Sequence, residues 1–254
     1  MVLVETRALV KRFGAFTAVD GVSFKVERGE VVGFLGPNGA GKSTTMKIIA
    51  GFLEPSEGSA YVAGHDSQLE PVAARQKLGY LPEGAPAYPD MTVGAFLEFV
   101  AAMRGLSKPA TRERLGELVE RIDLSEVWGR RIEALSKGFK RRVGIAQALV
   151  HDPDVLILDE PTDGLDPNQK HEMRELIRTL APNKAIVVST HILEEVEAIC
   201  TRAIIIARGK VMADSTPAEI LARAPARDPS VQQLVRTTRL EDAFRHITLE
   251  STGS

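Results

Sequence analysis

Gly36-Pro37-Asn38-Gly39-Ala40-Gly41-Lys42-Ser43 matches the pattern G-x-x-x-x-G-K-[ST] at every required position. Its context agrees. Val31-Val32-Gly33-Phe34-Leu35 before it is a continuous apolar run, as in a strand buried on both faces. Thr44-Thr45-Met46-Lys47-Ile48-Ile49-Ala50 after it reads as a helix that Gly51 ends. Strand, glycine loop and helix together make a cradle for phosphate. The glycines let backbone N–H groups turn inward. The helix start near Lys42 adds unpaired N–H groups and about half a positive charge. Gly36 through Thr44 are therefore candidate phosphate ligands. In this motif Lys42 reaches the β- and γ-phosphates and Ser43 ligates Mg²⁺ through its hydroxyl. The stretch predicts a P-loop nucleoside triphosphatase. A turn without function leaves the agreement of motif and context unexplained.

Outward from the loop, strands alternate with helices. Val2 to Val10 is rich in β-formers, and Val22 to Glu27 alternates apolar and polar residues. Short strands are predicted at Ser59–Val62 and Leu78–Leu81, then at Val155–Leu158, Ala185–Ser189 and Ala203–Ala207. Helices at about 168–180 and 191–199 separate the last three. That order predicts a mostly parallel α/β sheet. Residues 84 to 152 differ: Thr92–Arg104 and Thr111–Ile122 have helical periodicity with no strand between them, so this segment reads as a helical insertion. After Pro217 a helix is expected at Ala218–Ala222, a linker at Ala224–Pro229 and a last short helix at Leu240–Phe244.

Composition restricts the function classes. The chain has 254 residues, 44% hydrophobic and 26% charged, and no window approaches the roughly 18 apolar residues of a membrane span. An acid at Glu5 and the lack of a long apolar run at the start argue against a secretory signal. One cysteine, Cys200, fits a reducing compartment. Lys plus Arg (32) nearly balance Asp plus Glu (34), and aromatics are 5%, so neither a phosphate-backbone grip nor a base-stacking platform is expected. No nucleic-acid partner is predicted.

Val155-Leu156-Ile157-Leu158-Asp159-Glu160 is an apolar strand tipped by two acids. Ligands of α/β sheets bind beyond the carboxyl ends of the strands, so both acids are candidates to face the phosphate loop. Alternation sends them in different directions. Asp159 is assigned to the Mg²⁺ shell and Glu160 to the general base that polarises the attacking water. His191 follows Ile186-Val187-Val188-Ser189-Thr190, at another strand's carboxyl end, within reach of a γ-phosphate. Ser136, in Leu135-Ser136-Lys137-Gly138-Phe139-Lys140-Arg141-Arg142, is a candidate N-cap. The basic residues after it oppose the helix dipole, which makes sense if that end faces an anion.

With these residues in view, nearly the whole chain resembles the ATP-binding-cassette (ABC) transporter ATPases. Leu135-Ser136-Lys137-Gly138-Phe139 resembles that family's signature sequence, about twenty residues before the acid-tipped strand. Gly164-Leu165-Asp166 resembles its D-loop and Ser189-Thr190-His191 its switch histidine. Phe13 falls where the family stacks a ring on adenine. Tyr80-Leu81-Pro82-Glu83 stands at the lid loop, with Glu83 in place of the family's glutamine. Lys137 and Phe139 likewise replace glycine and glutamine. These departures resemble ATPases of ABC-2-type exporters, of the gliding-motility and nitrous-oxide-reductase-maturation kind.

The resemblance implies an ABC cassette over residues 1–222. It has a mostly parallel core sheet, an N-terminal antiparallel β subdomain and a helical insertion, with a linker and short tail over 223–254. It implies ATP and Mg²⁺, with Ser43, Asp159 and Glu83 as metal contacts and Lys42, Glu160 and His191 as catalytic residues. Ser136 and Gly138 would be offered to the ATP of a second ATPase subunit, a homodimer in the simplest case. A transmembrane permease on a separate chain is the implied partner. It would dock near Pro86, Tyr88, Pro89, Met91 and Trp128, with the cassette cytoplasmic and peripheral on the inner face of the cell membrane. Three other readings stay open: a soluble ABC ATPase acting on nucleic acid or ribosomes, a P-loop GTPase, and a non-catalytic subunit. Asn183-Lys184-Ala185-Ile186 lacks the aspartate a guanine-binding N-K-x-D needs.

Overall fold

The computed structural model describes residues 1–223 together with Ala243, Phe244, Ile247 and Thr248. The chain starts with two long strands, β1 (Val2–Phe13) and β2 (Phe16–Glu27), joined by the two residues Gly14 and Ala15 so that Phe13 sits opposite Phe16. β3 (Val31–Leu35) is buried at all five positions, and α1 (Lys42–Ile49) follows the glycine loop. Next come β4 (Glu57–Val62), β5 (His65–Asp66), the short α2 (Pro71–Gln76) and β6 (Leu78–Leu81). The helical block holds α3 (Val93–Met103), α4 (Lys108–Ile122) and α5 (Lys137–Leu149). The rest alternates: β7 (Val155–Asp159), α6 (Pro167–Leu180), β8 (Ala185–Thr190), α7 (Leu193–Ile199), β9 (Arg202–Ala207), β10 (Lys210–Ser215) and α8 (Pro217–Ala222).

Two sheets result among the described residues. One is antiparallel and four-stranded, in the order β2-β1-β4-β5. The other has six strands in the order β10-β9-β3-β8-β7-β6, parallel from β9 to β6. β3, β7 and β8 are covered on both faces, which is why they read as unbroken apolar runs. One core cluster lies between the two sheets and includes Phe24, Phe34 and Met46. A second joins the helical block to the opposite face of the six-stranded sheet through Phe96, Leu118, Ile145 and Leu158.

Each helix of the block is started by a hydroxyl. Thr92 accepts from the Ala95 N–H, Ser107 from Ala110 and Ser136 from Phe139. Helix α5 fixes the block to the sheet. A Cβ on Gly79 of β6 would lie 2.2 Å from the Ala148 carbonyl oxygen, so only glycine lets strand and helix close to this distance.

The expected element order stands, with several corrections. The first two strands run to Phe13 and from Phe16, well past the expected Val10 and Val22, because they pair with each other along their length. α1 starts at Lys42, where the helix start was expected. β5, β10 and α2 were not foreseen. Trp128 is half-buried and packs on Gly94, where a Cβ would lie 2.6 Å from the indole, so it belongs to its own block. The expected Ala224–Pro229 linker lies outside the described residues. Of the last predicted helix, Ala243 and Phe244 are described and helical, and Ala243 is buried beside Ile220 and Ile247.

Candidate active site

Three parallel strands end together and aim their next residues at one edge. Leu35 pairs with Thr190, and Asp159 pairs with Ser189. The glycine loop, the two acids and the histidine therefore meet beyond the carboxyl ends of β3, β7 and β8. A cleft of about 610 Å³ opens there, lined by Asn38, Gly39, Gly41, Lys42, Ser43 and Thr44 on one wall. Glu83, Glu160, Asp163 and His191 form another, and Phe13, Phe16 and Ala18 complete it.

The loop is held by its glycines. A Cβ on Gly36 would sit 2.3 Å from the Ile206 carbonyl oxygen. Gly41 has φ +105°, and a Cβ there would sit 2.4 Å from the Ala18 carbonyl oxygen. No other residue fits either place. Lys42 is buried and arches back over the loop. Its Nζ donates to the carbonyl of Gly36 at 2.7 Å and of Pro37 at 3.2 Å. Burial pulls its pKa down, and the charges of Glu160, Asp159 and Glu83 work against that pull. Gly36, Pro37 and Ala40 belong to the loop but do not line the cleft; Gly36 and Ala40 are buried and Pro37 is exposed.

Asp159 is 2% exposed and accepts a hydrogen bond from the Ser189 hydroxyl. Glu160 leaves the strand with φ +50°, a left-handed backbone that a non-glycine residue adopts at a cost of order 1–3 kcal/mol. Its N–H donates to the Ser189 carbonyl at 3.1 Å and lies 3.3 Å from the Ser189 hydroxyl. This turn swings the Glu160 carboxylate into the cleft while Asp159 stays behind it. Burial raises the Glu160 pKa, and hydrogen bonding to His191 opposes the rise. His191 Nδ1 lies 3.1 Å from both carboxylate oxygens.

Glu195 was not singled out from the sequence. It is 1% exposed and accepts hydrogen bonds from the Thr162 and Thr190 hydroxyls, with Lys170 Nζ at 3.9 Å. Phe16 was also missed. It is 61% exposed at the cleft mouth, beside Phe13 at 51%. The signal for Phe16 was its place across a two-residue turn from Phe13. Ser136 and Gly138 are not brought to this cleft. They start α5, where a Cβ on Gly138 would meet the Gln169 side chain at 2.8 Å.

The donors suit a hard cation. Ser43 offers a hydroxyl, Asp159 and Glu83 offer carboxylates, and no group of three or more His, Cys, Asp or Glu poised for a metal occurs among the described residues. Mg²⁺ needs no such cage, since it takes one or two protein oxygens plus phosphate and water.

Residues 19–163, more than half of the chain, match the ABC transporter family. The chain belongs to that family. The probable multidrug ABC transporter ATP-binding protein YbhF of Escherichia coli (strain K12) is 38% identical over 235 residues, 91% of this chain and 40% of the relative. The chain thus spans less than half the length of that relative. Nod factor export ATP-binding protein I of Burkholderia orbicola (strain AU 1054) is 40% identical over 215 residues, 84% of this chain and 71% of the relative. A solved ATP-binding subunit of an ABC transporter is 32% identical with a TM-score of 0.82, covering 96% of this chain and 99% of its own. The ATP-binding cassette MJ0796, solved as a post-hydrolysis dimer bound to ADP and Pi, is 25% identical with a TM-score of 0.77, covering 85% and 99%. The fold is that of the family's ATPase cassette, with a parallel core and an antiparallel N-terminal sheet, and the chain is an ATP-binding subunit of the family's kind.

Proposed function

We propose that this chain hydrolyses ATP as the nucleotide-binding subunit of an ABC-2-type exporter, coupled to a separately encoded transmembrane permease. The observation that carries the reading is the meeting of the glycine loop and the Glu160–His191 pair at one cleft, with Asp159 bonded to Ser189 behind it. Lys42 leaves its two loop carbonyls and turns its charge to the phosphates. The loop N–H groups and the α1 N-terminus hold the phosphate oxygens. Phe13 stacks on the adenine. Ser43, Asp159 and Glu83 would hold Mg²⁺, which when bound neutralises charge on the phosphate oxygens. Glu160 accepts the proton of the attacking water, and His191 orients that carboxylate.

Ser136 and Gly138 lie outside the cleft of their own chain, which supports a second ATPase subunit, a homodimer in the simplest case, whose signature helix completes the site. The dimeric state of MJ0796 supports the same arrangement. The export direction is supported by the Nod factor relative. No helix among the described residues is long and apolar enough to cross a membrane, so the membrane path is assigned to the permease, with this subunit peripheral on the cytoplasmic face. Tyr88 (56% exposed), Phe99 (42%) and Met103 (72%) form an apolar patch for the permease, with the Tyr88 ring edge-on to Phe99 at 5.8 Å.

Purified chain with ATP and Mg²⁺ tests the reading. Lys42→Ala should abolish turnover. Glu160→Gln should bind ATP, fail to hydrolyse it and accumulate as a dimer in size-exclusion chromatography. Wild-type turnover in Lys42→Ala overturns the phosphate-loop assignment. A strictly monomeric Glu160→Gln with permease and lipid supplied overturns the clamp.

A further inference from the structure

Tyr80 of β6 is half-buried, and its hydroxyl oxygen is buried without a hydrogen-bond partner among the described residues. A buried polar atom left unpaired costs stability. Packing alone does not call for it. The ring lies against Phe52, centroids 5.6 Å apart, and joins the core between the two sheets, where a phenylalanine would fill the same space. The sheet register gives the surroundings of the hydroxyl. Tyr80 pairs with Ile157 of the parallel strand β7. Side chains alternate along a strand, so Asp159, two residues on, shares the face of Ile157 and Tyr80. Leu156 and Leu158 take the other face, toward the helical block, while Ile157 and Tyr80 lie with Met46 of α1. The helix that covers Tyr80 and Asp159 is therefore the one that opens on Lys42 and Ser43. Burial, then the charges of Asp159 and Glu83, keeps the proton on the Tyr80 hydroxyl. Those are the two carboxylates assigned to Mg²⁺, and Asp159 gives one oxygen to the Ser189 hydroxyl.

We propose that Tyr80 is a positioning residue for the cation of this site, its hydroxyl hydrogen-bonding the oxygen shell of the Mg²⁺ that Ser43, Asp159 and Glu83 would hold. Mg²⁺ takes few protein oxygens and keeps several waters, so a fixed hydroxyl beside it orients that shell. Partners of this kind are worth about 10–100-fold in metal affinity or activity. The inference rests on the ATP and Mg²⁺ reading above.

Tyr80→Phe removes one oxygen and keeps the ring. On the full chain, ATP binding is titrated with Mg²⁺ and again in EDTA, and melting temperature is measured without nucleotide. The Mg²⁺ concentration that half-saturates the ATP-bound chain should rise about tenfold or more in Tyr80→Phe. ATP affinity in EDTA should be unchanged, and the melting temperature should not fall, because the lost hydroxyl had no partner in the chain. Phe52→Leu, which disturbs the ring contact and spares the hydroxyl, should leave the Mg²⁺ dependence in place. An unchanged Mg²⁺ dependence in Tyr80→Phe overturns the proposal. So does an equal rise in Phe52→Leu, which would assign the effect to packing. A lower melting temperature in Tyr80→Phe overturns it too, since the hydroxyl would then already be paired within the fold. Wild-type chain whose ATP binding ignores Mg²⁺ overturns the cation assignment itself, a separate result.

Discussion

His191 presents Nδ1 to both carboxylate oxygens of Glu160, each at 3.1 Å, at the point where the backbone of Glu160 takes a left-handed turn into the cleft. Burial raises the Glu160 pKa above its ordinary 4.5, and His191 pulls it back. A general base works ionised, so the acidic limb of the ATPase pH profile should lie above the usual glutamate range. Removing His191 removes the group that favours the carboxylate. His191→Ala should therefore move that limb to higher pH. It should also lower kcat by tenfold or more, since hydrogen bonds to charged groups are worth about 1.5–3 kcal/mol. A limb that stays in place or moves down would separate His191 from Glu160.

Glu195 sets the frame for that pair. Its carboxylate accepts from Thr162, two residues past Glu160, and from Thr190, one residue before His191. Thr190 in turn accepts from the Ile192 N–H at 3.0 Å. One buried acid thus fastens the two loops that hold Glu160 and His191. Glu195→Ala leaves two buried hydroxyls without an acceptor, each costing about 1–3 kcal/mol. Melting temperature should fall, and kcat should fall more than ATP affinity does. Glu195→Gln, which keeps an acceptor, should recover much of both. If affinity and kcat fall together, Glu195 only holds the fold.

Phe13 and Phe16 face each other across a two-residue turn and both line the cleft mouth. Lys11 Nζ stands 5.2 Å from the Phe13 ring centroid, so that ring already carries a cation on one face. Stacking is worth about 0.5–1.5 kcal/mol beyond area burial, roughly twofold to tenfold in affinity. Phe13→Ala should weaken ATP binding by that factor in a fluorescence titration. If Phe16→Ala weakens it and Phe13→Ala does not, the adenine ring lies on Phe16.

What could be read in advance follows from how local each signal is. The glycine loop, the run Val155–Asp159 and the hydroxyl cap Ser136 are set by neighbours in sequence, and each stands where expected. β10 was hidden because it is a half-exposed edge strand whose burial does not alternate cleanly. Its turn is Arg208-Gly209, with positive φ at both residues, and arginine does not announce a hairpin as asparagine would. α2 is too short, at six residues, to show a period. Glu195 sits among Glu194 and Glu197 and so reads as part of a solvated helix face. Only the fold brings Thr162 and Thr190 to it.

His151 gives a stability signal far from the cleft. Its Nε2 donates to the Leu78 carbonyl at 3.0 Å, and its buried Nδ1 has no partner among the described residues. Burial, then the positive charges of Arg104, Lys184 and Arg114, pushes its pKa down to about 4, while the Leu78 carbonyl works the other way. In the unfolded chain the imidazole titrates near 6.5. Between those values the unfolded chain binds more protons than the folded one. This residue's contribution is therefore present above about pH 6.5 and is lost as pH falls toward 4. At pH 5 the loss is on the order of 2 kcal/mol, or roughly 4–8 °C in melting temperature for a domain of this size. His151→Gln keeps the donor to Leu78 and removes the titration. The drop in melting temperature between pH 7.5 and pH 5 should shrink by about that amount in the variant. An equal drop in both proteins would show that His151 does not titrate on unfolding.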